Sequence, residues 1–338
     1  MSVELIAIDL AKNVYQLCGV NRAGKSVFNK QVSRTKFVQT IAQYPGVTVA
    51  MEACCNSNYI GRLLLRMGYN VNIIPPNHVK PFVKGNKNDR NDAFAIAEAA
   101  RRPDMHFVQP RSIEQTDMSI AHKIRERRIA ERTALVNQVR GLLMEYGVTV
   151  PLGIHKLRAD LPLILGDAEN ELSIIARQQF QLLLEEWQAL DILISEQDTL
   201  IKRQAHADKK ATRLMQIKGI AELTSTAIVS HMGASHNYKN GRHYASCLGV
   251  VPQEYSSGGK QKVGGITKRG NKYIRRLLVQ CAWSIIRRIE SATDNLSLWA
   301  KKVIERRGKQ IASLAIANKL ARIVWAMSHY KQDFNYGN

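Results

Sequence analysis

The stretch Val3-Glu4-Leu5-Ile6-Ala7-Ile8-Asp9-Leu10, followed closely by Val14-Tyr15-Gln16-Leu17-Cys18-Gly19-Val20, decides the reading of the first third of the chain. Both runs are short, largely apolar and bounded by polar breaks, the pattern of buried strands. Asn21-Arg22-Ala23-Gly24 reads as a hairpin turn into a third strand over 25–30. Working outward, the pattern predicts a short helix over 35–43, a buried strand over 47–51 and a helix over 57–67 through Ile60, Leu63, Leu64 and Met67. A strand over 69–74 is stopped by Pro75-Pro76, and 92–101 is an alanine-rich helix. Three meandering strands, then helix, strand, helix, strand, helix, make an α/β domain.

The charge points to a partner. Among 338 residues, 49 are Lys or Arg and 28 are Asp or Glu, a net +21. Residues 207–338 hold 23 basic and 7 acidic residues, net +16, whereas 106–206 hold 12 and 14, net −2. A surplus so concentrated predicts a polyanionic partner, nucleic acid first. The 45% apolar and 23% charged content excludes a mainly disordered or collagenous chain. No uninterrupted apolar run reaches the roughly 18 residues of a membrane span, so no membrane partner is expected. The N-terminus lacks the regions of a signal peptide, and the five cysteines form no CxxC pair. A cytoplasmic protein is the expectation.

The middle reads as long helices. Ala176, Phe180, Leu183, Trp187, Leu190, Ile194, Gln197 and Ile201 recur at alternating steps of four and three, a coiled-coil seam fit for a helical hairpin or a paired stalk. The segment 147–168, with Pro151, Pro162 and several glycines, is expected to break the helices. The chain divides in order as 1–104, 105–206 and 207–338.

Carboxylates mark the first segment. Asp9 ends the first strand and Glu52 ends the fourth, each embedded in apolar sequence where a charge is costly without a cation or a hydrogen-bond donor. Asp89 and Asp92 lie three apart at the start of the last helix and share a face, where acids also serve as caps. With the first strand in the middle of the sheet, strands one and four become neighbours and all four acids reach one place. Such hard oxygen donors suit Mg²⁺ or Mn²⁺, and two such ions act on phosphodiesters. That is the arrangement of a ribonuclease H-like (RuvC-like) domain.

In the last segment, Leu214–Ala221 with Thr224, Ala227 and Ile228 has helix-hairpin-helix spacing; Lys218 and Gly219 would meet a phosphate there, the alternative being a plain helical hairpin that packs the core. Then Ser256-Ser257-Gly258-Gly259 leads into Lys260, Lys262, Lys268, Arg269, Lys272, Arg275 and Arg276, cations interspersed with glycines that let a phosphodiester approach the backbone. Two mostly packing helices follow: 271–290 with Ile274, Leu277, Leu278, Cys281 and Ile285 inward, and 310–329 with Ile311, Leu314, Ala315, Val324 and Trp325 in the same role. This segment is expected to be mostly α.

The motifs Ile8-Asp9-Leu10-Ala11-Lys12, Met51-Glu52-Ala53-Cys54 and Lys87-Asn88-Asp89-Arg90-Asn91-Asp92-Ala93 resemble the RuvC-like Asp-Glu-Asp-Asp domain of a bacterial transposase family, insertion-sequence family one hundred and ten, which includes the Piv-type invertases. The resemblance extends over nearly the whole chain. It implies that Asp9, Glu52, Asp89 and Asp92 form the catalytic metal site. It also implies a nucleophilic serine directly before glycine, matched best by Ser257 with Ser256 as the alternative. The implied partners are donor and target DNA, a structured guide (bridge) RNA and further copies of the chain as a dimer or tetramer, in the bacterial cytoplasm with the nucleoid. A metal-dependent nuclease or junction resolvase using water is the alternative, and a non-enzymatic nucleic-acid-binding protein a third.

Overall fold

A computed structural model describes residues 2–86 and 88–335; Lys87, quoted in the third motif, lies outside them. The elements run β1 Leu5–Leu10, β2 Val14–Val20, β3 Ser26–Ser33, α1 Phe37–Ile41, β4 Thr48–Glu52, α2 Ser57–Arg66, β5 Asn70–Ile74, α3 Pro76–Val79 and α4 Asp89–Ala100. There follow α5 Ile113–Met144, α6 Ile154–Gly166, α7 Ile174–Ala207, α8 Lys209–Leu214, α9 Glu222–Met232, α10 Gly241–Cys247, β6 Pro252–Glu254, β7 Val263–Ile266, α11 Lys272–Arg287 and α12 Asn295–Tyr330.

The strands form one sheet in the order β3-β2-β1-β4-β5, antiparallel across β1–β2–β3 and parallel across β1–β4–β5. β1 is central, as the sequence predicts. Side-chain alternation loads both faces. Ile6, Ile8, Tyr15, Leu17, Val49 and Met51 pack with Phe37, Ile41, Ile60 and Leu64 of α1 and α2. Leu5, Ala7, Cys18 and Ala50 pack with Ala93, Ile96 and Ala97 of α4. Alanines on both sides of that second contact let α4 lie close to the sheet, which sets the position of its first turn.

The three consecutive segments expected from the sequence pack as two compact units: 1–116 together with 228–338, and 117–227. The first and last parts of the chain join through side chains that sequence order separates. Gln115 Nε2 donates to the Val229 carbonyl at 2.9 Å, Lys239 pairs with Asp104 at 3.4 Å, and the His106 ring lies 5.0 Å from His243 and 5.4 Å from Tyr238. α11 turns Ile274, Leu277, Leu278, Cys281 and Ile285 inward as predicted. α12 buries Ala312, Ile316, Ala317, Leu320, Ala321 and Val324, and Trp325 is buried too. Ile311, expected inside, is exposed, and Leu314 and Ala315 are only half-buried. By length and composition α12 matches a membrane span, yet half of that apolar window is buried, as in a core helix.

In the second unit α5 and α7 form an antiparallel helical hairpin. Arg125 pairs with Asp198 and Arg132 with Asp191, and Arg128 donates to the Leu193 carbonyl. Most of the predicted seam on α7 is covered inside the chain: Ala176, Phe180 and Trp187, with half-buried Leu183 and Leu190, pack on Leu135, Val136, Val139 and Leu143 of α5. The expected break at 147–168 is instead interrupted by a helix, α6, which runs through Pro162. Complete burial of Leu157 and Leu161 outweighs the proline's missing donor.

Candidate active site

β1 and β4 pair in parallel with Ile8 opposite Met51, so the next residues along, Asp9 and Glu52, stand side by side. Alternation puts both on the face of Ala7 and Ala50, the side covered by α4. Both are half-buried. The Cys54 thiol reports their joint field: lost solvation, then the charges of Asp9 and Glu52, push it up to about 11.

α4 runs back along β1. At its C-terminal end Arg101 donates to the Arg22 carbonyl at 2.9 Å, beside the start of β1. At its other end hydrogen bonds tie the first turn to Gln16, the residue on β2 in register with Asp9. Gln16 Nε2 donates to Asn29 Oδ1 at 2.6 Å, and Asn29 Nδ2 donates to the Arg90 carbonyl at 3.0 Å. Asn88 caps the helix, its Oδ1 accepting from the Asn91 amide at 2.9 Å. This cap leaves Asp89, exposed, and Asp92, half-buried, in the first turn without the capping role.

The donor chemistry of Asp9 and Glu52 fits a hard divalent cation, since two neighbouring carboxylates repel each other without positive charge between them. Among the described residues, no three His, Cys, Asp or Glu side chains are gathered into a set that could hold a metal. Strand register sets Asp9 beside Glu52, while the α4 acids do not close a ligand set around that pair in this structure.

The predicted serine loop is a β-hairpin. Beyond the paired residues of β6 and β7, the ladder continues through the Tyr255 amide to the Lys262 carbonyl at 2.9 Å and a bridge between Ser257 and Lys260. Gly258 and Gly259 turn the chain with φ of 56° and 75°. Two left-handed residues in a two-residue loop make a type I′ turn, for which glycine is suited. Ser257 is exposed at its edge. Ser256 Oγ donates to Glu254 Oε1 at 2.6 Å and accepts from the Lys262 amide at 3.4 Å. The base is clamped where Thr267 N–H meets the Val251 carbonyl and Lys268 N–H the Gly249 carbonyl, at 2.9 and 3.1 Å.

Lys260, Lys262, Lys268, Arg269, Lys272 and Arg276 are exposed on and around this hairpin. Arg275 is not among them: half-buried, it donates to the Leu248 and Arg269 carbonyls at 3.1 and 3.3 Å and locks the hairpin base. In the second unit, Lys218 and Gly219 sit in the turn between α8 and α9, anchored by buried Ile217 and Ile220, with Gly219 at φ 85°. Both are half-buried.

Sequence reasoning missed Glu254, Gln16, Asn29 and Asn88. The first had a readable signal: it lies two residues before Ser256 in an extended run, hence on the same face. Gln16 and Asn29 had none, because their roles arise only from strand register.

A half-buried carboxylate pair at the heart of a mixed sheet, together with a strongly basic glycine-serine hairpin, defines a nucleic-acid-processing α/β protein. Comparison with known proteins makes this specific. Residues 6–148 match a transposase domain model named for the Asp-Glu-Asp-Asp IS110 type, and residues 211–297 match the Transposase IS116/IS110/IS902 family. The chain is 39% identical to the transposase for insertion sequence element IS1111A of Coxiella burnetii over 99% of its own length and 92% of that protein. It is 37% identical to the transposase for insertion sequence element IS1328 of Yersinia enterocolitica, covering 97% of each chain. A probable family 20 transposase of Pseudomonas aeruginosa is also 37% identical over 97% of each. The chain belongs to the IS116/IS110/IS902 family of transposases, enzymes that act on DNA.

Proposed function

We propose that this transposase cuts and rejoins DNA through the hydroxyl of Ser257, assisted by a divalent-cation site of Asp9, Glu52, Asp89 and Asp92. The observation that carries the reading is the side-by-side placement of Asp9 and Glu52 in register on parallel strands. Ser257 is favoured over Ser256 because the latter's hydroxyl is engaged by Glu254 and Lys262, while Ser257 is exposed beside the type I′ turn.

The hairpin residues have separable tasks. Lys260, Lys262 and Lys268 neutralise the phosphodiester and hold its backbone. The two turn glycines keep side chains away from the phosphate. The Ser257 oxygen bonds to phosphorus and gives its proton to a carboxylate. The P–O bond to the departing strand breaks, and that oxygen takes up a proton. The phosphoserine link retains one phosphoester bond, so attack by a strand hydroxyl reverses the sequence and rejoins DNA without a nucleotide cofactor. A bound Mg²⁺ or Mn²⁺ supplies Lewis-acid charge stabilisation at the phosphate.

The reading extends to a structured guide RNA that selects donor and target DNA by base pairing, in the bacterial cytoplasm. The positive charge concentrated in the last part of the chain supports a second polyanion beside DNA. It also includes assembly as a dimer or tetramer, because joining two duplexes takes more than one strand cut. In that assembly the serine of one copy serves the carboxylates of another.

A nicked suicide duplex tests the chemistry. The wild type is expected to become covalently attached, Ser256→Ala to attach as well, and Ser257→Ala and Asp9→Asn not to attach. Cleavage with no adduct, or attachment undiminished in Ser257→Ala, would establish hydrolysis by water or another nucleophile instead. Sequencing RNA that copurifies from cells tests the guide: a discrete transcript is expected, and bulk cellular RNA alone would overturn that part.

A further inference from the structure

The C-terminal part of the first unit contains a feature the reaction above does not use. An open groove of about 1220 Å³ runs between α10, α12 and the serine hairpin. Its floor is the stripe of α12 that sequence periodicity assigns to the core, Ile311, Leu314 and Ala315. Ile311 there is 54% exposed, an apolar surface left uncovered. Pro252, Gly264 and Gly265, from β6 and β7, form a wall, and an added Cβ at Gly265 would meet no atom within 4 Å. The hairpin that presents Ser257 is thus also a wall of this groove.

Its chemistry is one-sided. Arg242, Lys319 and Arg322 line it, and among the described lining residues none is acidic. The Lys319 ammonium lies 4.1 Å above the Trp299 ring centre. Burial, and then the positive charge of Arg322, hold Lys319 below its ordinary range. Two neighbouring cations on a partly desolvated wall repel each other, and an anion between them would relieve both.

Small-molecule sites are enclosed and hold roughly 300–1,000 Å³; this groove is larger and open, the form of a channel for a polymer. The cations exclude a basic peptide and favour a phosphodiester chain. An apolar floor beside a tryptophan favours flat apolar groups between the phosphates, that is, bases. In a duplex those base faces are covered by their neighbours, so the strand must be unpaired. Because the groove shares its wall with the serine hairpin, the strand it takes is the one continuous with the attacked phosphodiester.

We propose that this groove binds an unpaired segment of the DNA strand adjoining the phosphodiester attacked by the hairpin serine, with Lys319 and Arg322 on phosphates and Trp299 against a base. The choice of strand rests on the recombinase reading above; the binding itself does not.

The experiment uses the full chain carrying Ser257→Ala, so that covalent capture plays no part. A fluorescent oligothymidylate, an oligouridylate and a DNA duplex of equal length are titrated at one salt concentration, with matched thermal melts confirming that each variant folds. Trp299→Leu and Lys319→Gln are each expected to weaken single-strand binding about tenfold, the scale of one lost base stack, and to change duplex binding less than about twofold. Trp299→Phe, which keeps a ring, is expected to retain most of the single-strand affinity. Equal losses for single strand and duplex, or none, would overturn the proposal. So would a loss confined to oligouridylate, which would give the groove to RNA. Either failure leaves adduct formation by the unsubstituted chain untouched, so it is distinguishable from failure of the serine mechanism.

Discussion

Substituting Gly270 by alanine is expected to dismantle the base of the serine hairpin, and the size of the effect follows from two contacts. Gly270 has φ 88°, and a Cβ there would lie 1.8 Å from the Cys247 carbonyl oxygen. The other side of the same crossing is equally tight: a Cβ at Gly249, φ 72°, would lie 1.9 Å from the Arg269 carbonyl oxygen. Gly258 provides the control, since it also has positive φ, 56°, but nothing within 4 Å of an added Cβ. Alanine at either position bears a left-handed cost of about 1–2 kcal/mol. Only at Gly270 must backbone move as well, adding about 1–3 kcal/mol. The assay is native-state hydrogen exchange at the Thr267 and Lys268 amides, whose acceptors are the Val251 and Gly249 carbonyls. Gly270→Ala should speed their exchange at least about fivefold more than Gly258→Ala does, taking about 1.4 kcal/mol per tenfold. It should also abolish attachment to nicked DNA. Equal acceleration by the two alanines would refute the reasoning.

Other expectations concern the carboxylates, the histidines and the second unit. If Asp9 and Glu52 hold Mg²⁺, the ion at about one hundred times its Kd stabilises the wild type by about 2.7 kcal/mol, and a melt of Asp9→Asn should show little of that shift; an equal shift in both would place the ion elsewhere. Burial lowers His106, His122 and His231 to about 4 from an ordinary 6.5, so the folded state holds them neutral while the unfolded chain takes up protons first. Stability is therefore full above about 6.5 and falls as pH drops toward 4, with His122 contributing at most about 3 kcal/mol. Urea midpoints of the wild type and His122→Gln across that window should converge at the acid end, and parallel curves would contradict it. Trp187 is 1% exposed; Trp187→Ala should cost about 3–5 kcal/mol in the second unit, read from amide exchange in α5 and α7. A loss below 1 kcal/mol would mean that the helical hairpin is not packed through this ring.

The α/β domain was legible because its strands alternate between two buried faces, a pattern carried by adjacent residues such as Ile6, Ala7 and Ile8. Asp9 and Glu52 stood out for the same reason, as charges closing apolar runs. The relay from Gln16 through Asn29 to Arg90 was not legible, since three polar residues far apart in sequence meet only through sheet register. Local composition misled at 147–168, where Pro162 marks a break but buried Leu157 and Leu161 hold a helix. Periodicity misled at Ile311, because it reports an apolar stripe without saying whether anything covers it. Arg275 counted as a phosphate ligand by charge alone, whereas its guanidinium is used on backbone carbonyls.

The discontinuous make-up of the first unit has a consequence for biogenesis. A ribosome completes the carboxylate sheet early, but the side chains that pack beside Asp104, His106 and Gln115 emerge only after the helical insertion of 117–227 has been synthesised. A chain terminated before residue 257 carries the acids without the hairpin serine. Such a fragment lacks the nucleophile proposed for strand attachment, so the gene of a mobile element interrupted ahead of the Ser257 codon yields a product unable to form that bond with the genome encoding it.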